Sequence, residues 1–197
     1  MTGLRLLVYD ATCAGRFGLP GLSAAWRAGG LLYGALGALD ARAAVSSWPA
    51  AFAWLLAQGE RAPIAEVQFW GHGSWGRAYV AGESLDAGAL EPGHPWHPAL
   101  AALRARLLPG GTALWWFRTC ETFGTEAGHA FARAWTRFFG CRAAGHTYVI
   151  GPWQSGLHCL SPGQEPDWPA SEGVPARARV GPHRALRSRP GAPRTIS

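Results

Sequence analysis

Two residues of this chain pair a reactive side chain with a position where such side chains are commonly put to use. His72 follows the apolar run Ile64–Trp70, and Cys120 follows Thr112–Arg118. Each run is too short for a helix and is bounded by turn-forming residues, so each reads as a buried strand with the reactive residue just past its end. A thiolate is a strong nucleophile once formed. An imidazole within reach can take the thiol proton and later return it to a leaving amine. The chemistry open to such a pair is acyl transfer through a thioester. Singly, the two residues say less, because a cysteine by default is a small buried hydrophobe and a glycine-flanked histidine is often only a turn residue.

The elements that must position them follow from periodicity. Leu4–Tyr9 predicts a first strand, closed by Asp10-Ala-Thr-Cys. Leu22–Leu39 predicts one helix broken by Gly29, Gly30, Gly34 and Gly37. Ser47 before Trp48-Pro49 predicts a helix cap, with Phe52, Leu55 and Leu56 as the apolar face of a helix that stops at Gly59. Arg77–Val80 and Glu83–Leu85 suggest a short hairpin, and Pro98–Leu108 and Thr125–Phe139 suggest helices, the second strongly amphipathic and ended by Gly140. His146–Ile150 predicts a last strand. Strands alternating with helices produce a mainly parallel sheet covered on both faces, so the expected fold class is an α/β three-layer sandwich. In such sheets reactive residues gather beyond the carboxyl ends of the strands, where His72 and Cys120 both fall.

With the strands placed, the pair resembles a known group. His72 lies 48 residues before Cys120, close to the separation of about 50 that marks caspases. Phe69-Trp70-Gly71-His72-Gly73 and Trp115-Trp116-Phe117-Arg118-Thr119-Cys120 resemble the strand ends of the caspase-like (clan CD) cysteine peptidases, bacterial members included. The resemblance spans residues 3–160 and implies a hydrolase that cleaves peptide bonds. Cys120 would be the nucleophile, His72 the acid and base, and the backbone N–H of Gly73 an oxyanion donor. Beside the cysteine the chain departs from Gln-Ala-Cys-Arg-Gly, reading Arg118-Thr119-Cys120-Glu121-Thr122. In the group, the residue two before the cysteine helps line the pocket for the residue preceding the scissile bond. Arg118 there would favour an acidic side chain, or would instead neutralise Glu121. Gln154, Ser155 and His158 are expected at the far rim, and loop tryptophans Trp75, Trp96, Trp153 and Trp168 as cleft walls. The alternative is a catalytically inactive scaffold of the same fold that binds a protein or peptide.

Other chemistry is weaker. Ser74 has His72 where the G-x-S-x-G motif needs glycine. His94, His97, His158, Cys159 and Cys120 show no recognised zinc spacing, so no metal and no cofactor is expected. Cys13, Cys141 and Cys159 are expected to be structural thiols.

Composition bounds the rest. The chain has 197 residues, 48% hydrophobic and 15% charged, which excludes a disordered polyelectrolyte and fits one domain. All 18 basic residues are arginine, and the net charge of +6 is concentrated in residues 170–197, where six arginines face Glu172 alone. The body, residues 1–169, is nearly neutral, so no specific nucleic-acid partner is expected. Residues 170–197 are expected to form a disordered Arg/Pro-rich tail. No apolar run reaches the roughly 20 residues of a membrane span, and no signal-peptide pattern opens the chain. A cytoplasmic location is therefore expected, with a protein or peptide substrate as partner.

Overall fold

The structure, a computed structural model, describes residues 3–15, 20–59, 62–150 and 156–173. Its main sheet has six strands: β1 (Leu4–Asp10), β2 (Ala41–Val45), β3 (Ile64–Trp70), β7 (Leu114–Arg118), β8 (Arg142–His146) and β9 (Leu157–Leu160). A second, three-stranded antiparallel sheet holds β4 (His72–Ser74), β5 (Arg77–Val80) and β6 (Glu83–Leu85). The helices are α1 (Leu22–Ala35), α2 (Trp48–Ala57), α3 (His97–Arg106) and α4 (Thr125–Phe139). The main sheet runs β2-β1-β3-β7-β8-β9, parallel throughout except for β9, which pairs antiparallel with β8.

Alternation along the strands divides the core. Leu6 and Val8 point to one face and Leu7 and Tyr9 to the other, because successive side chains of a strand leave on opposite sides. The first face is covered by α2, α3 and α4, whose Trp48, Phe52, Phe131 and Trp135 are essentially inaccessible, as are the strand residues Phe69, Trp115 and Phe117. The second packs under α1, where Tyr33 meets Leu7, Tyr9 and Trp70. The three-layer α/β sandwich is thus the fold.

Several elements differ from the sequence expectation. The glycines of α1 do not break it. A Cβ added at Gly29 would lie 2.7 Å from the Trp70 ring and one at Gly30 2.9 Å from Leu7, so these glycines let the helix approach the sheet closely. The final parallel strand lies at Arg142–His146 rather than His146–Ile150. Its Ala-Ala-Gly centre carries little strand propensity, whereas the residues after it use their backbone to hold another loop. Strand β2 was not anticipated, for the same reason: its centre is alanine. Residues 170–173, which fall inside the expected tail, are docked on the domain, since Glu172 accepts a hydrogen bond from Thr147 at 2.7 Å and pairs with His158 at 2.8 Å. No helix among the described residues is long and apolar enough to cross a membrane.

Candidate active site

The two reactive residues hang from neighbouring strands in register. Trp70 of β3 pairs with Arg118 of β7, so His72 and Cys120 each stand two residues beyond one common rung. His72 continues directly into the small sheet, paired with Tyr79. Cys120 instead enters a tight turn in which Glu121 takes a left-handed conformation at φ 57°, a backbone state uncommon for residues other than glycine.

Backbone bonds fix that turn against the stretch after β8. Glu121 N donates to the Tyr148 carbonyl at 3.1 Å and Phe123 N to that of His146 at 2.9 Å. Ile150 N donates to the Cys120 sulfur at 3.3 Å. On its other flank the turn is fastened to the hairpin carrying His72. The Thr122 hydroxyl is 3.2 Å from the Arg77 carbonyl, 3.3 Å from that of Cys120 and 2.5 Å from the Thr119 hydroxyl. Gly76 N donates to the Thr122 carbonyl at 2.9 Å. Gly73 packs so tightly here that an added Cβ would stand 2.7 Å from the Cys120 carbonyl oxygen and would collide with the Thr122 hydroxyl. Only glycine fits, and the His72 and Cys120 loops are neighbours through backbone contact at Gly73.

The side chains differ in environment. His72 is exposed, and its ring meets Trp26 of α1 edge-on at 5.9 Å between centroids. Cys120 is half-buried; burial pushes its thiol pKa up, the Ile150 N–H opposes the shift, and the negative charge of Glu121 adds to it. Among the described residues no hydrogen bond joins the imidazole to the thiol.

Arg118 makes no ion pair with Glu121. Its guanidinium sits over three rings, 4.4 Å from the centroid of Trp70, 4.9 Å from Trp116 and 5.1 Å from Tyr33. Burial lowers its pKa while Tyr33 and Glu66 offset the effect, and its Nη1 is enclosed without a hydrogen-bond partner.

Other sequence expectations resolve differently. Trp153, Gln154 and Ser155 lie outside the described residues. His158 is not a rim residue: it is buried in β9, stacked on Trp168 at 4.5 Å between centroids. Trp168 is core rather than cleft wall, stacked on Phe123 and donating to its carbonyl at 3.0 Å. Trp96 is partly buried against the core, whereas Trp75 is exposed and donates to the Gly173 carbonyl at 3.2 Å. Among the described residues no three His, Cys, Asp or Glu side chains converge as a metal would require. Cys13 is pushed up to about 11, by burial and by Asp10, and Cys141 to about 12, chiefly by burial; both are poor nucleophiles.

Sequence reasoning missed Thr122, Trp26 and Ile150. A Thr two residues after the cysteine was visible, but its role depends on a hairpin carbonyl 45 residues away. Comparison with the sequence profiles of known families gives no match, and comparison with curated protein sequences gives none either.

Proposed function

We propose that the protein is a cysteine endopeptidase of caspase-like type, with Cys120 as nucleophile and His72 as general acid and base. The observation that carries this reading is the shared rung: adjacent parallel strands deliver a thiol and an imidazole to the same end of the sheet, with Gly73 in contact with the cysteine's backbone. Burial and the charge of Glu121 raise the thiol pKa, so in this reading His72 removes the proton during attack rather than standing in an ion pair with a thiolate. The thiol proton passes to the imidazole as sulfur bonds to the peptide carbonyl carbon. Negative charge develops on the carbonyl oxygen, toward which the Gly73 N–H serves as donor. Collapse breaks the C–N bond, the imidazolium gives its proton to the leaving amine, and water, deprotonated by His72, releases the acid and restores the thiol. Arg118, the only positive charge in the rung that both loops share, would attract an acidic residue before the scissile bond.

A second reading, a scaffold on the same fold that binds peptides without turnover, draws on the raised thiol pKa and the absence of an imidazole–thiol hydrogen bond. The two part on one experiment. Incubation with a peptide library rich in Asp and Glu, followed by mass spectrometry of products, should give cleavage lost in both Cys120→Ala and His72→Ala. Cleavage that survives Cys120→Ala, or none from the wild type, overturns the peptidase reading.

A further inference from the structure

Helix α1 departs from the pattern of an ordinary surface helix, which keeps apolar residues for the core and turns polar ones to water. Its inner side is apolar, with Tyr33 buried against Leu7, Tyr9 and Trp70. Its solvent side is apolar as well: of the exposed residues of α1, Arg27 alone is polar. Leu22, Leu31 and Leu32, with Leu36 at the C-cap, are 48 to 57% exposed, and exposed alanines lie between them. Exposed leucines gathered on one helix mark an interaction surface, whereas the same residues scattered singly would not.

Positive charge borders this face. Arg27 shares the wall of a groove with Tyr9 of β1 and Ala44 of β2. Nη1 of Arg42 lies 3.2 Å from where a Cβ on Gly34 would be. Both arginines therefore lie along the β2 flank of α1, and neither takes part in a salt bridge among the described residues. Asp40, just beyond the helix, is bonded to Arg5. The sequence adds a second basic feature, because residues 174–197 carry six arginines and no acid.

An occupant of this surface has to take both the leucines and the arginines. As a protein interface the helix is small: its 14 residues form a strip about 21 Å long and about 10 Å wide, against the roughly 800 Å² that each partner of a standard interface buries. A second copy would bring Arg27 and Arg42 again, with no acid in its own α1 or β2 to meet them. An anionic bilayer accepts both features, since leucines enter the acyl boundary while arginines stay at the level of the phosphates. We propose that the protein binds anionic membrane surfaces, with α1 lying in the plane of the interface. Its leucines are buried at the acyl boundary, and Arg27 and Arg42, together with the arginines of residues 174–197, meet the headgroups. Partly exposed leucines alone bind weakly, so the apolar face and the basic residues act as two signals. The surface stands independently of the His72–Cys120 chemistry.

The test sediments the full chain with vesicles of phosphatidylcholine and phosphatidylserine in equal parts and, separately, of phosphatidylcholine alone. Binding to the first is expected, weakening as salt is raised, with far weaker binding to the second. Hydrogen exchange across residues 22–35 should slow on the vesicles. Leu32→Glu should cut binding by about tenfold, since it removes an inserted leucine and adds a charge that the surface repels. Leu32 is exposed, so the variant should melt as the parent does; Leu32→Ala, with a smaller loss, is the companion variant. Replacing the six arginines of residues 174–197 with glutamine should weaken binding and leave the remainder sensitive to Leu32→Glu. Absence of sedimentation with phosphatidylserine overturns the proposal. So does binding indifferent to Leu32→Glu, which assigns it to the arginines of residues 174–197 alone, or dimerisation that Leu32→Glu abolishes without any vesicle binding, which makes α1 an interface between copies.

Discussion

Four influences act on the proton affinity of Cys120: burial raises it, the Ile150 N–H lowers it, the charge of Glu121 raises it again, and the backbone N–H of Cys120 itself lowers it. Glu121 is the one that can be removed without disturbing packing, since it is only partly buried. Glu121→Gln should therefore lower the thiol pKa and speed iodoacetamide alkylation of Cys120 severalfold near neutral pH, where only the small thiolate fraction reacts. An unchanged rate would mean that Glu121 does not sense the sulfur. Arg118 allows a similar separation of roles. A buried guanidinium with an enclosed, unpartnered nitrogen is costly, and an apolar side chain of similar shape often does better. Arg118→Met should hold or raise the melting temperature while removing any preference for acidic substrates. A variant that melts lower shows that the stacking on Trp70 and Trp116 outweighs the buried charge. At this scale the reactive types and their spacing were legible in the sequence, but the aromatic enclosure of Arg118 was not. Tyr33 and Trp70 reach it from a helix and a neighbouring strand, and no local pattern encodes that meeting.

Among the elements, the hairpin β4–β5 and the turn after β7 behave as one unit because Thr122 fastens them. Thr122→Val keeps the shape and leaves the Arg77 carbonyl and the Thr119 hydroxyl without this partner. A loss of about 1–3 kcal/mol in urea unfolding is expected, together with a fall in any Cys120-dependent cleavage; Thr122→Ser, which keeps the hydroxyl, should recover most of both. Ser47 accepts a hydrogen bond from Ala50 N at 3.3 Å and opens α2, so Ser47→Ala should cost about 1 kcal/mol and leave the site unaltered. That cap was readable from Ser-Trp-Pro alone, as was the amphipathic α4. Strands β2 and β8 were missed or misplaced because Ala and Gly fill their centres, and their pairing is decided by the sheet around them rather than by their own preference.

Across the whole molecule, one face of the sheet is sealed by an aromatic core that the sequence announced through its eleven tryptophans, while assigning some of them to the wrong place: Trp168 closes the core as part of the docked segment that includes Glu172 and Gly173. Within that core Cys141 is inaccessible, its thiol pushed up to about 12. Its folded value exceeds the unfolded one, so the native state holds more protons above about pH 8.5, the ordinary thiol value. Stability then falls as pH rises through that window, by up to about 1.4 kcal/mol per pH unit from this group. Urea midpoints measured from neutral to alkaline pH should decline in the wild type and decline less in Cys141→Ala; equal slopes would show that Cys141 is not the group responsible.

The claim on which the functional reading rests is that Cys120 attacks a peptide-shaped carbonyl with help from His72. It is tested most directly by reacting the protein with a peptidyl acyloxymethyl ketone ending in Asp and locating the label by peptide mass spectrometry, in wild type and His72→Ala. Labelling should fall on Cys120 alone among the four cysteines, and His72→Ala should slow it by about a hundredfold, the low end of what a general base contributes. Label spread over several cysteines, or a Cys120 rate indifferent to His72, contradicts the dyad.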